Sequence, residues 1–331
     1  MILVVGPNLA VDHTVDVPGF QTGHIFRTGR SLTVAGGKGA NVARALHALG
    51  MPVHLVGLVA GWAGRFIRES LAEEGIPATV VEVGGVSRTC TLIVDGSAGD
   101  ATVVNEEGNL QITAAHLAEL ERVLDEWIAR ARVVVCSGSL PPALPASFHA
   151  RVVEKARRAG AKTVVDTSGE PLSAAVQARP HLIKPNRSEL QALAALDGRL
   201  ESPSLEPEVA ADDAGSQDLD RLAALARSLL VRGVEQVVVS LGAAGAMAVT
   251  GDGLWFARAP KVPMVDPIGA GDSMVAALSA GLHEGLAWPE LLARAVAAGS
   301  CDVTTFGGGL ISPEAVEELR RQVTVSPVTI A

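Results

Sequence analysis

Short runs of apolar, β-branched residues alternate along this chain with stretches of helical spacing, and this alternation restricts the fold more than any other feature. The predicted strands cover residues 2–6, 53–59, 133–138, 163–168, 181–186 and 236–242. The predicted helices cover residues 41–50, 114–131, 147–160 and 219–233, and three of them end at a glycine. Uniformly apolar strands separated by helices predict an α/β fold with a mostly parallel central sheet and helices on both faces. In such sheets ligands bind beyond the carboxyl ends of the strands.

Two segments interrupt the alternation. Residues 10–34 and 88–105 have the spacing of short, half-polar strands, with a turn predicted at Asp95-Gly96. We predict that they form a small β-sheet that acts as a lid over an active site, the alternative being a peripheral hairpin. Residues 197–220 are acidic and rich in Pro, Ser and Gly, which predicts a surface loop or mobile insertion within a single domain that spans residues 1–331.

Composition excludes several classes of partner. The net charge of −9 over 331 residues argues against general binding to nucleic acid or to an anionic membrane. No apolar run reaches the roughly 18 residues of a membrane helix, and the first residues lack the basic segment of a signal peptide. The three cysteines, Cys90, Cys136 and Cys301, are widely spaced and lack a metal-ligand pattern. We therefore expect a soluble cytoplasmic protein with reduced thiols.

The stretch "DPIGAGDSMVAAL" places three small residues directly before an acidic one at the start of an apolar helix. Bare N–H groups at a helix start attract anions, so Gly269, Ala270 and Gly271 could hold the charge of a transferring phosphoryl group. Asp272 could accept the proton of an attacking hydroxyl. The alternative is an ordinary glycine turn followed by an aspartate that caps the helix.

Two further stretches carry polar groups at helix starts. In "AGGKGANVARALHALG" the bare backbone of Gly36 and Gly37 suits close approach by a polyol, and Asn41 offers both a donor and an acceptor. This stretch lacks the lysine-hydroxyl pair of a Walker A loop, and a plain glycine turn is its alternative. In "LIKPNRSEL" Lys184 could meet phosphate. The pair Asn186 and Glu189 has the spacing of a reciprocal N-cap, and Glu189 could also reach a water on Mg²⁺.

In this order and spacing the three stretches resemble the PfkB-type sugar kinase family, which has the ribokinase-like fold, and the resemblance covers nearly the whole chain. "GGKGANVARAL" is similar to the N-terminal motif of that family and "DPIGAGDSMVAAL" to its C-terminal one. "CSGSLPP", "VDTSGEPL" and "VVVSLGAAGA" are similar to stretches of its branch of phosphofructokinases, 1-phosphofructokinases and tagatose-6-phosphate kinases. The resemblance implies a ribokinase-like sheet with a small β-strand lid.

The resemblance also implies a role for each matching residue. Asp272 would be the catalytic base, and Gly269, Ala270 and Gly271 the anion hole. The residues implied to bind the phosphorylated sugar are Asp12, Arg27, Gly36, Gly37, Lys38, Asn41, Arg88 and Ser139. Those implied to bind ATP are Lys184, Asn186, Ser240, Gly242, Gly245 and Ser300. Glu189 would hold Mg²⁺ through a water, and Asp266, Ile268 and Asp302 would hold K⁺. For Arg27 and Arg88 the alternative is solvated surface charge.

We therefore predict an ATP- and Mg²⁺-dependent kinase of a phosphorylated ketohexose that converts fructose 1-phosphate or fructose 6-phosphate to fructose 1,6-bisphosphate and forms a homodimer through the lid. Lys38 favours the fructose-1-phosphate and tagatose-6-phosphate kinases, whereas "VDTSGEPL" favours the 6-phosphofructokinase. The alternatives are a tagatose-6-phosphate kinase, a kinase of an unphosphorylated sugar or nucleoside, and a nucleotide- or sugar-binding regulator without catalysis. An NAD-dependent oxidoreductase would need a glycine fingerprint that this chain lacks.

Overall fold

The computed structural model describes residues 1–95, 100–196 and 216–328. The strands are β1 (Ile2–Gly6), β2 (Ala10–Asp16), β3 (Ser31–Gly36), β4 (Val53–Ala60), β5 (Ala78–Val86), β6 (Arg88–Asp95), β7 (Asp100–Asn105), β8 (Asn109–Gln111), β9 (Val133–Ser137), β10 (Lys162–Asp166), β11 (Leu182–Ile183), β12 (Gln236–Ser240), β13 (Gly245–Thr250), β14 (Gly253–Arg258) and β15 (Thr324–Pro327). The helices are α1 (Lys38–Ala48), α2 (Gly61–Glu73), α3 (Ala114–Ile128), α4 (Phe148–Arg158), α5 (Gly169–Gln177), α6 (Arg187–Leu196), α7 (Ser216–Val231), α8 (Ala270–Glu284), α9 (Trp288–Asp302) and α10 (Pro313–Arg320). Of the predicted turn at Asp95-Gly96 the glycine lies outside the described residues, and so does most of the predicted acidic loop.

The main sheet has eleven strands in the order β15-β14-β13-β12-β11-β10-β9-β1-β4-β5-β8. The seven strands from β12 to β5 pair in parallel, as the alternation of strands and helices predicted, although β5 was not among the six predicted strands. Antiparallel strands close both edges, β13 to β15 on one side and β8 on the other. These edge strands were not predicted, although β13 is buried throughout and β14 contains the apolar run 254–257. A short apolar run does not by itself distinguish a strand from another buried segment.

Side chains of the central strands alternate between two apolar cores, one on each face of the sheet. Ile2 and Val4 of β1 pack in the core that includes α1, α8 and α9. Leu3 and Val5 pack in the core that includes α3, α4 and α7. Each fully buried side chain of this kind contributes roughly 1.5–3 kcal/mol. The helices therefore cover both faces, and polar groups needed for chemistry are left at the strand ends.

Strand β11 is shorter than predicted, since it ends at Ile183 rather than at residue 186. Lys184 still donates its N–H to the carbonyl of Val165 at 3.1 Å, but Pro185 has no N–H with which to continue the ladder. Asn186 then forms an isolated parallel bridge with Ser240. The "KPN" segment is thereby held at the carboxyl edge of the sheet.

A second sheet of four strands, β3-β2-β6-β7, stands apart from the main one, as predicted. Its strands are shorter than the predicted segments, because residues 17–30 form no strand. One face of this sheet, with Ala10, Cys90 and Leu92, packs against Ile268 directly before α8. The small sheet therefore lies over the start of α8.

Cys90, Cys136 and Cys301 are all buried and free, as their spacing predicted. Among the described residues, no helix combines the length and the apolar character that crossing a membrane requires.

Candidate active site

Polar side chains from β10, α1, α8 and the segment after β11 meet at the carboxyl edge of the main sheet. Lys38 Nζ lies 3.0 Å from Asp166 Oδ2, and Lys184 Nζ lies 3.2 Å from Asp166 Oδ1. Asp272 of α8 receives a hydrogen bond of 2.9 Å from Asn41 of α1. Residues separated by more than two hundred positions in the chain thus form one charged cluster.

Asp272 is the acid at the centre of this cluster. Its side chain is buried, and Asn41 Nδ2 donates to its Oδ2. Burial raises the pKa of Asp272 to about 6, with Asp166 adding to the rise and Lys38, Lys184 and the Asn41 bond opposing it. A carboxylate with a pKa in this range is well matched to accept a proton near neutral pH.

The start of α8 presents free backbone donors. Gly269 is the N-cap, with a left-handed φ of 99°, and among the described residues no side chain forms a cap hydrogen bond there. The N–H groups of Ala270, Gly271 and Asp272 therefore lack helical partners. A Cβ placed on Gly271 would lie 3.4 Å from Lys184 Nζ, so the lysine ammonium is beside these amides. Ala270 and Gly271 belong to the first turn of the helix, whereas the sequence placed them in a turn before it.

Asp166 joins two lysines that come from opposite ends of the site. Lys38 begins α1, and Lys184 follows β11. Asp166 and Lys184 are almost fully buried, whereas the Lys38 side chain is 40% exposed. Burial alone would raise the pKa of Asp166, but Lys184 and Lys38 hold it below its usual value. Lys38, Asp166 and Lys184 together carry one net positive charge, and they lie near the N-terminus of α8.

Asp12 and the glycines after β3 form a second part of the site. Asp12 Oδ2 accepts the N–H of Gly37 at 3.1 Å. A Cβ on Gly36 would lie 1.9 Å from Asp12 Cγ, so only glycine fits there. Burial raises the pKa of Asp12, although the Gly37 bond and nearby arginines oppose that rise. A carboxylate held in this way can accept hydrogen bonds from a polyol.

Arg88 lies next to these glycines and Arg27 does not. A Cβ on Gly37 would lie 3.5 Å from Arg88 Nη2, and Arg88 Nε donates to the carbonyl of Asn8 at 3.4 Å. Asn8 Nδ2 in turn donates to Ser139 Oγ at 3.0 Å. Arg27 is exposed within residues 17–30 and makes no hydrogen bond or ion pair within the described part of the chain.

Asn186 and Glu189 form the reciprocal N-cap that their spacing allowed. Glu189 N donates to Asn186 Oδ1 at 2.7 Å, and Asn186 N donates to Glu189 Oε2 at 2.8 Å. Among the described residues, no three His, Cys, Asp or Glu side chains are grouped as metal ligands. A Mg²⁺ ion at Glu189 would consequently depend on waters and phosphate oxygens, which is the mode of binding that Mg²⁺ prefers.

The turn after β12 lies beside Asn186. Ser240 N donates to the carbonyl of Pro185 at 3.1 Å, and a short 3₁₀ helix, Gly242–Ala244, follows. Gly245 has a φ of 112°, and a Cβ there would lie 2.0 Å from the carbonyl oxygen of Ala257, so glycine is required. Ser300 is buried in α9, next to Gly299, whose added Cβ would lie 3.2 Å from the carbonyl oxygen of Ala270. These residues border the cluster from one side.

Two buried acids flank the loop before α8. Asp266 accepts the N–H groups of Ile268 at 2.9 Å and Gly307 at 3.2 Å. Asp302 Oδ1 accepts from Ser273 Oγ at 2.9 Å and from Gly309 N at 2.8 Å. Asp302 Oδ2 is buried and has no hydrogen-bond partner among the described residues.

Burial raises the pKa of Asp302 to about 8 and also raises the pKa of Asp266. A buried carboxylate oxygen without a donor fits a bound cation, which would supply the missing charge.

Two residues of the cluster were missed by the sequence analysis. Asp166 ends a buried strand at the carboxyl edge of the sheet, and that position was the signal that could have identified it. Arg44 is buried in α1 and contacts the side chain of Asn41. A buried arginine one turn after a glycine-rich loop leaves no distinctive pattern in the sequence.

The chain is similar to known proteins over nearly its whole length. The model of the pfkB family carbohydrate kinases matches residues 2–315. A 1-phosphofructokinase of Bacillus subtilis (strain 168) is 31% identical over 326 residues, which cover 98% of this chain and 99% of that protein. A 1-phosphofructokinase of Xanthomonas campestris is 34% identical over 328 residues, covering 97% and 96%.

Among solved structures, phosphofructokinase-2 from Escherichia coli in complex with potassium superimposes with a TM-score of 0.81 at 27% identity, covering 97% of this chain and 98% of that one. The tetrameric inhibited form of the same enzyme gives a TM-score of 0.80 at 26% identity with the same coverage.

Proposed function

The chain belongs to the pfkB family of carbohydrate kinases, as its motifs predicted, and we propose that it transfers the γ-phosphoryl group of ATP to the 6-hydroxyl of fructose 1-phosphate. The observation that carries the proposal is the placement of a buried carboxylate, Asp272, beside the free amides of α8 and two lysines. The end-to-end likeness to 1-phosphofructokinases favours fructose 1-phosphate over the other sugar phosphates. The product would be fructose 1,6-bisphosphate.

In this proposal Asp272 accepts the proton of the attacking hydroxyl. With a pKa of about 6 the carboxyl is mostly ionised at neutral pH, yet it is basic enough to bind a proton in the transition state. Asn41 donates to one carboxylate oxygen, Oδ2, which leaves Oδ1 for the hydroxyl. Asn41 therefore serves the base, in addition to the contact with substrate that the sequence predicted.

The charge of the migrating phosphoryl group is stabilised by the start of α8 and by the lysines. The N–H groups of Ala270 and Gly271 are aligned by the helix, so they need no reorganisation during the reaction. Lys184 lies beside them, and Asp166 holds its ammonium in place. Lys38, held by the same carboxylate, would reach the transferring group from the sugar side.

The sugar is assigned to the surface between the small sheet and α1. Asp12 would accept hydrogen bonds from sugar hydroxyls over the bare backbone of Gly36 and Gly37. Arg88 and Ser139, which meet through Asn8, would hold the phosphate already on the sugar. Arg27 would join them only after the segment of residues 17–30 moves inward over the substrate.

The nucleotide is assigned to the other side of the cluster. Its contacts would be Lys184, Asn186, Ser240, Gly242, Gly245 and Ser300. Glu189 would hold Mg²⁺ through a water, and the ion would neutralise phosphate charge when bound. The N-cap hydrogen bond occupies Glu189 Oε2, so Oε1 would bind the water on Mg²⁺.

A potassium ion would fit between Asp266, Ile268 and Asp302. Its charge would compensate Asp302 Oδ2, which has no hydrogen-bond partner in residues 1–95, 100–196 and 216–328, and would stabilise the loop that leads into Gly269. The complex of the E. coli relative with potassium supports this assignment.

Assembly through the small sheet is proposed on the basis of exposed apolar side chains. Val104 on β7 is 56% exposed, and Ile25, in the segment between β2 and β3, is 92% exposed. Exposed sheet edges with apolar side chains invite pairing with a second copy. The tetrameric form of the E. coli relative is consistent with self-association of this fold.

A panel of acceptors tests the substrate assignment by release of ADP, with and without K⁺. We expect kcat/KM to be highest for fructose 1-phosphate. A preference for fructose 6-phosphate or tagatose 6-phosphate would reassign the substrate, and turnover of unphosphorylated sugars or nucleosides would remove the phosphate site. No ADP release with any acceptor would indicate a binding regulator instead.

The variant Asp272→Asn tests the base. We expect it to lower kcat by roughly 10²–10⁴-fold while the affinity for ATP stays nearly unchanged. Asp125→Asn is the control, because Asp125 is an exposed acid of α3 that pairs with Lys155 and has no assigned role in the site. Near-normal turnover in Asp272→Asn would exclude this residue as the base.

A further inference from the structure

The guanidinium of Arg44 is buried beneath the cluster and uses all three of its nitrogens. Nη1 donates to Asn41 Oδ1 and to the carbonyl of Gly308, both at 3.0 Å. Nη2 donates to the carbonyl of Ala35 at 2.5 Å and to Glu74 Oε1 at 3.0 Å, and Nε donates to Glu74 Oε2. Arg44 itself is 5% exposed. Its charge also acts on Asp12 and lowers the pKa of that carboxyl. Among the described contacts Arg44 is bonded to Asn41 and not to Asp272, so the hydrogen-bonded route from Arg44 to the base passes through Asn41.

That neighbour is Asn41, whose side-chain amide has two orientations of almost equal shape. In one, Nδ2 donates to Asp272; in the other, Oδ1 would face the ionised carboxylate and repel it. Arg44 can only donate, so its bond to Oδ1 selects the first orientation. The nitrogen is then directed to Asp272 Oδ2 at 2.9 Å.

We propose that Arg44 is a positioning residue for the catalytic base, acting by fixing the Asn41 amide so that its nitrogen faces Asp272. The proposal rests on the assignment of Asp272 as the base. Helix α1 begins at the glycine-rich loop that is assigned to the sugar, and the same helix carries Asn41 and Arg44, which orient the base.

The far side of Arg44 is anchored independently of the active site. Glu74, at the end of α2, accepts from both Nε and Nη2 and also from Ser70 Oγ at 3.0 Å. Ser70 Oγ in turn accepts the N–H of Ala35 at 2.8 Å. A bidentate pair of this kind fixes a guanidinium in one plane, so Arg44 has no freedom to follow Asn41 if the amide rotates.

Several charged groups face Asp272 besides this chain. Lys38 from α1 and Lys184 after β11 favour its ionised form, and Asp166 of β10 disfavours it. Asp302 of α9 is a further acid that interacts with Asp272. Lys38, Lys184 and Asp166 are not bonded to Arg44 or Glu74 among the described contacts, so changing Arg44 alters the Asn41 bond directly and theirs only indirectly. Asp302 is linked to Arg44 through Gly308 and Gly309, which makes the comparison in the Asn41→Ala background necessary.

The test is the ratio of kcat/KM for Arg44→Lys to that of the wild type from pH 5 to pH 9, with fructose 1-phosphate as acceptor. Lysine also only donates, but one ammonium replaces the three nitrogens that hold Glu74 and Asn41, so we expect it to stay with Glu74 and to lose the bond to Asn41. A ratio at each pH cancels the ionisation of the substrates. A hydrogen bond to a charged group is worth about one pKa unit, so the pKa of the base should rise from about 6 by that amount. The ratio should then fall about 5-fold at pH 6 and return to near 1 at pH 8.

Two variants separate positioning from a general loss of stability. Ser70→Ala removes bonds of Ala35 and Glu74 but leaves the Arg44–Asn41 contact, so it should lower the midpoint of thermal unfolding without changing the pH profile. Glu74→Gln keeps the arginine with a weaker anchor, and it should move the acid limb in the same direction by a smaller amount. Should Arg44→Lys fail to fold, Glu74→Gln alone carries the test.

A double variant tests whether Arg44 acts on the base through Asn41. If Arg44 acts through Asn41, then adding Arg44→Lys to Asn41→Ala should produce no further shift of the acid limb. A shift that persists in that background, or a loss of activity equal at every pH, would overturn the proposal. Wild-type protein without kinase activity would refute the proposed function instead, whereas an active wild type and unshifted variants would refute only the role of Arg44.

Discussion

The two ends of α8 carry a matched pair of glycines that tests the proposed anion hole. Gly269 is the N-cap with a φ of 99°, and Gly285 is the C-cap with a φ of 79°. Alanine at either position incurs the cost of a left-handed backbone, about 1–2 kcal/mol. Only at Gly269 does the added methyl collide, since its Cβ would lie 2.4 Å from Gly308 Cα and 2.6 Å from Asp302 Oδ2. At Gly285 no atom of the residues that the structure describes lies within 4 Å of the added Cβ.

The collision sets the size of the effect. Carbon atoms pack at about 3.5–4.0 Å, so the backbone at Gly269 or Gly308 must move by roughly 1 Å to admit the methyl. Overpacking of this kind adds about 1–3 kcal/mol to the conformational cost. A displacement of about 1 Å at reacting groups lowers turnover by about 10²-fold. We therefore expect Gly269→Ala to lose about 2–5 kcal/mol of stability and about 100-fold in kcat, and Gly285→Ala to lose about 1–2 kcal/mol with kcat nearly unchanged.

The assay is ADP release at saturating ATP and fructose 1-phosphate, together with urea unfolding of both variants. Equal kcat in Gly269→Ala and wild type would show that the start of α8 does not hold the phosphoryl group. Equal losses of kcat in the two variants would show that activity follows the stability of the helix rather than the geometry of its first turn.

Three further predictions concern the charges of the site. Asp166→Asn should lower the free energy of unfolding by about 3–5 kcal/mol, because it leaves Lys184 buried without its partner. Added ATP should stabilise this variant more than the wild type, and an unchanged unfolding midpoint would contradict the role given to the ion pair. Arg88→Ala should raise KM for the sugar phosphate about 10- to 100-fold and leave KM for ATP unchanged. Replacement of the exposed Arg68 by alanine is the control, and an unaltered KM for the sugar phosphate in Arg88→Ala would argue for an unphosphorylated acceptor. Burial raises the pKa of Asp272 to about 6, so ionising this carboxyl lowers the free energy of unfolding above pH 6 but not below about pH 4. Asp272→Asn should therefore be more stable than the wild type at pH 8 and equally stable near pH 4, and a gain in stability that is the same at every pH would refute this linkage.

Much of the molecule could be predicted because its signals are local. Apolar strands, helical spacing and glycine stops occur within windows of a few residues, and they indicated the parallel sheet, its helices and the small second sheet. The motifs around Gly36, Lys184 and Asp272 indicated the family, since close backbone approach and helix starts require particular residue types at fixed offsets. The antiparallel strands β13 and β14 were missed although they are apolar, because short apolar runs do not by themselves distinguish strands from other buried segments.

Tertiary structure alone decided which of these groups meet and what charge each one bears. Asp166 joins Lys38 across 128 positions of the chain, and Asn41 reaches Asp272 across 231. No local pattern encodes such pairs, because they arise when separate strand ends converge on one edge of the sheet. Burial is likewise a property of the assembled molecule: it raises the pKa of Asp272 and leaves one oxygen of Asp302 without a hydrogen-bond partner in the described part of the chain. The residue types were therefore present in the sequence, whereas their protonation and their partners depend on the exclusion of water by the folded chain.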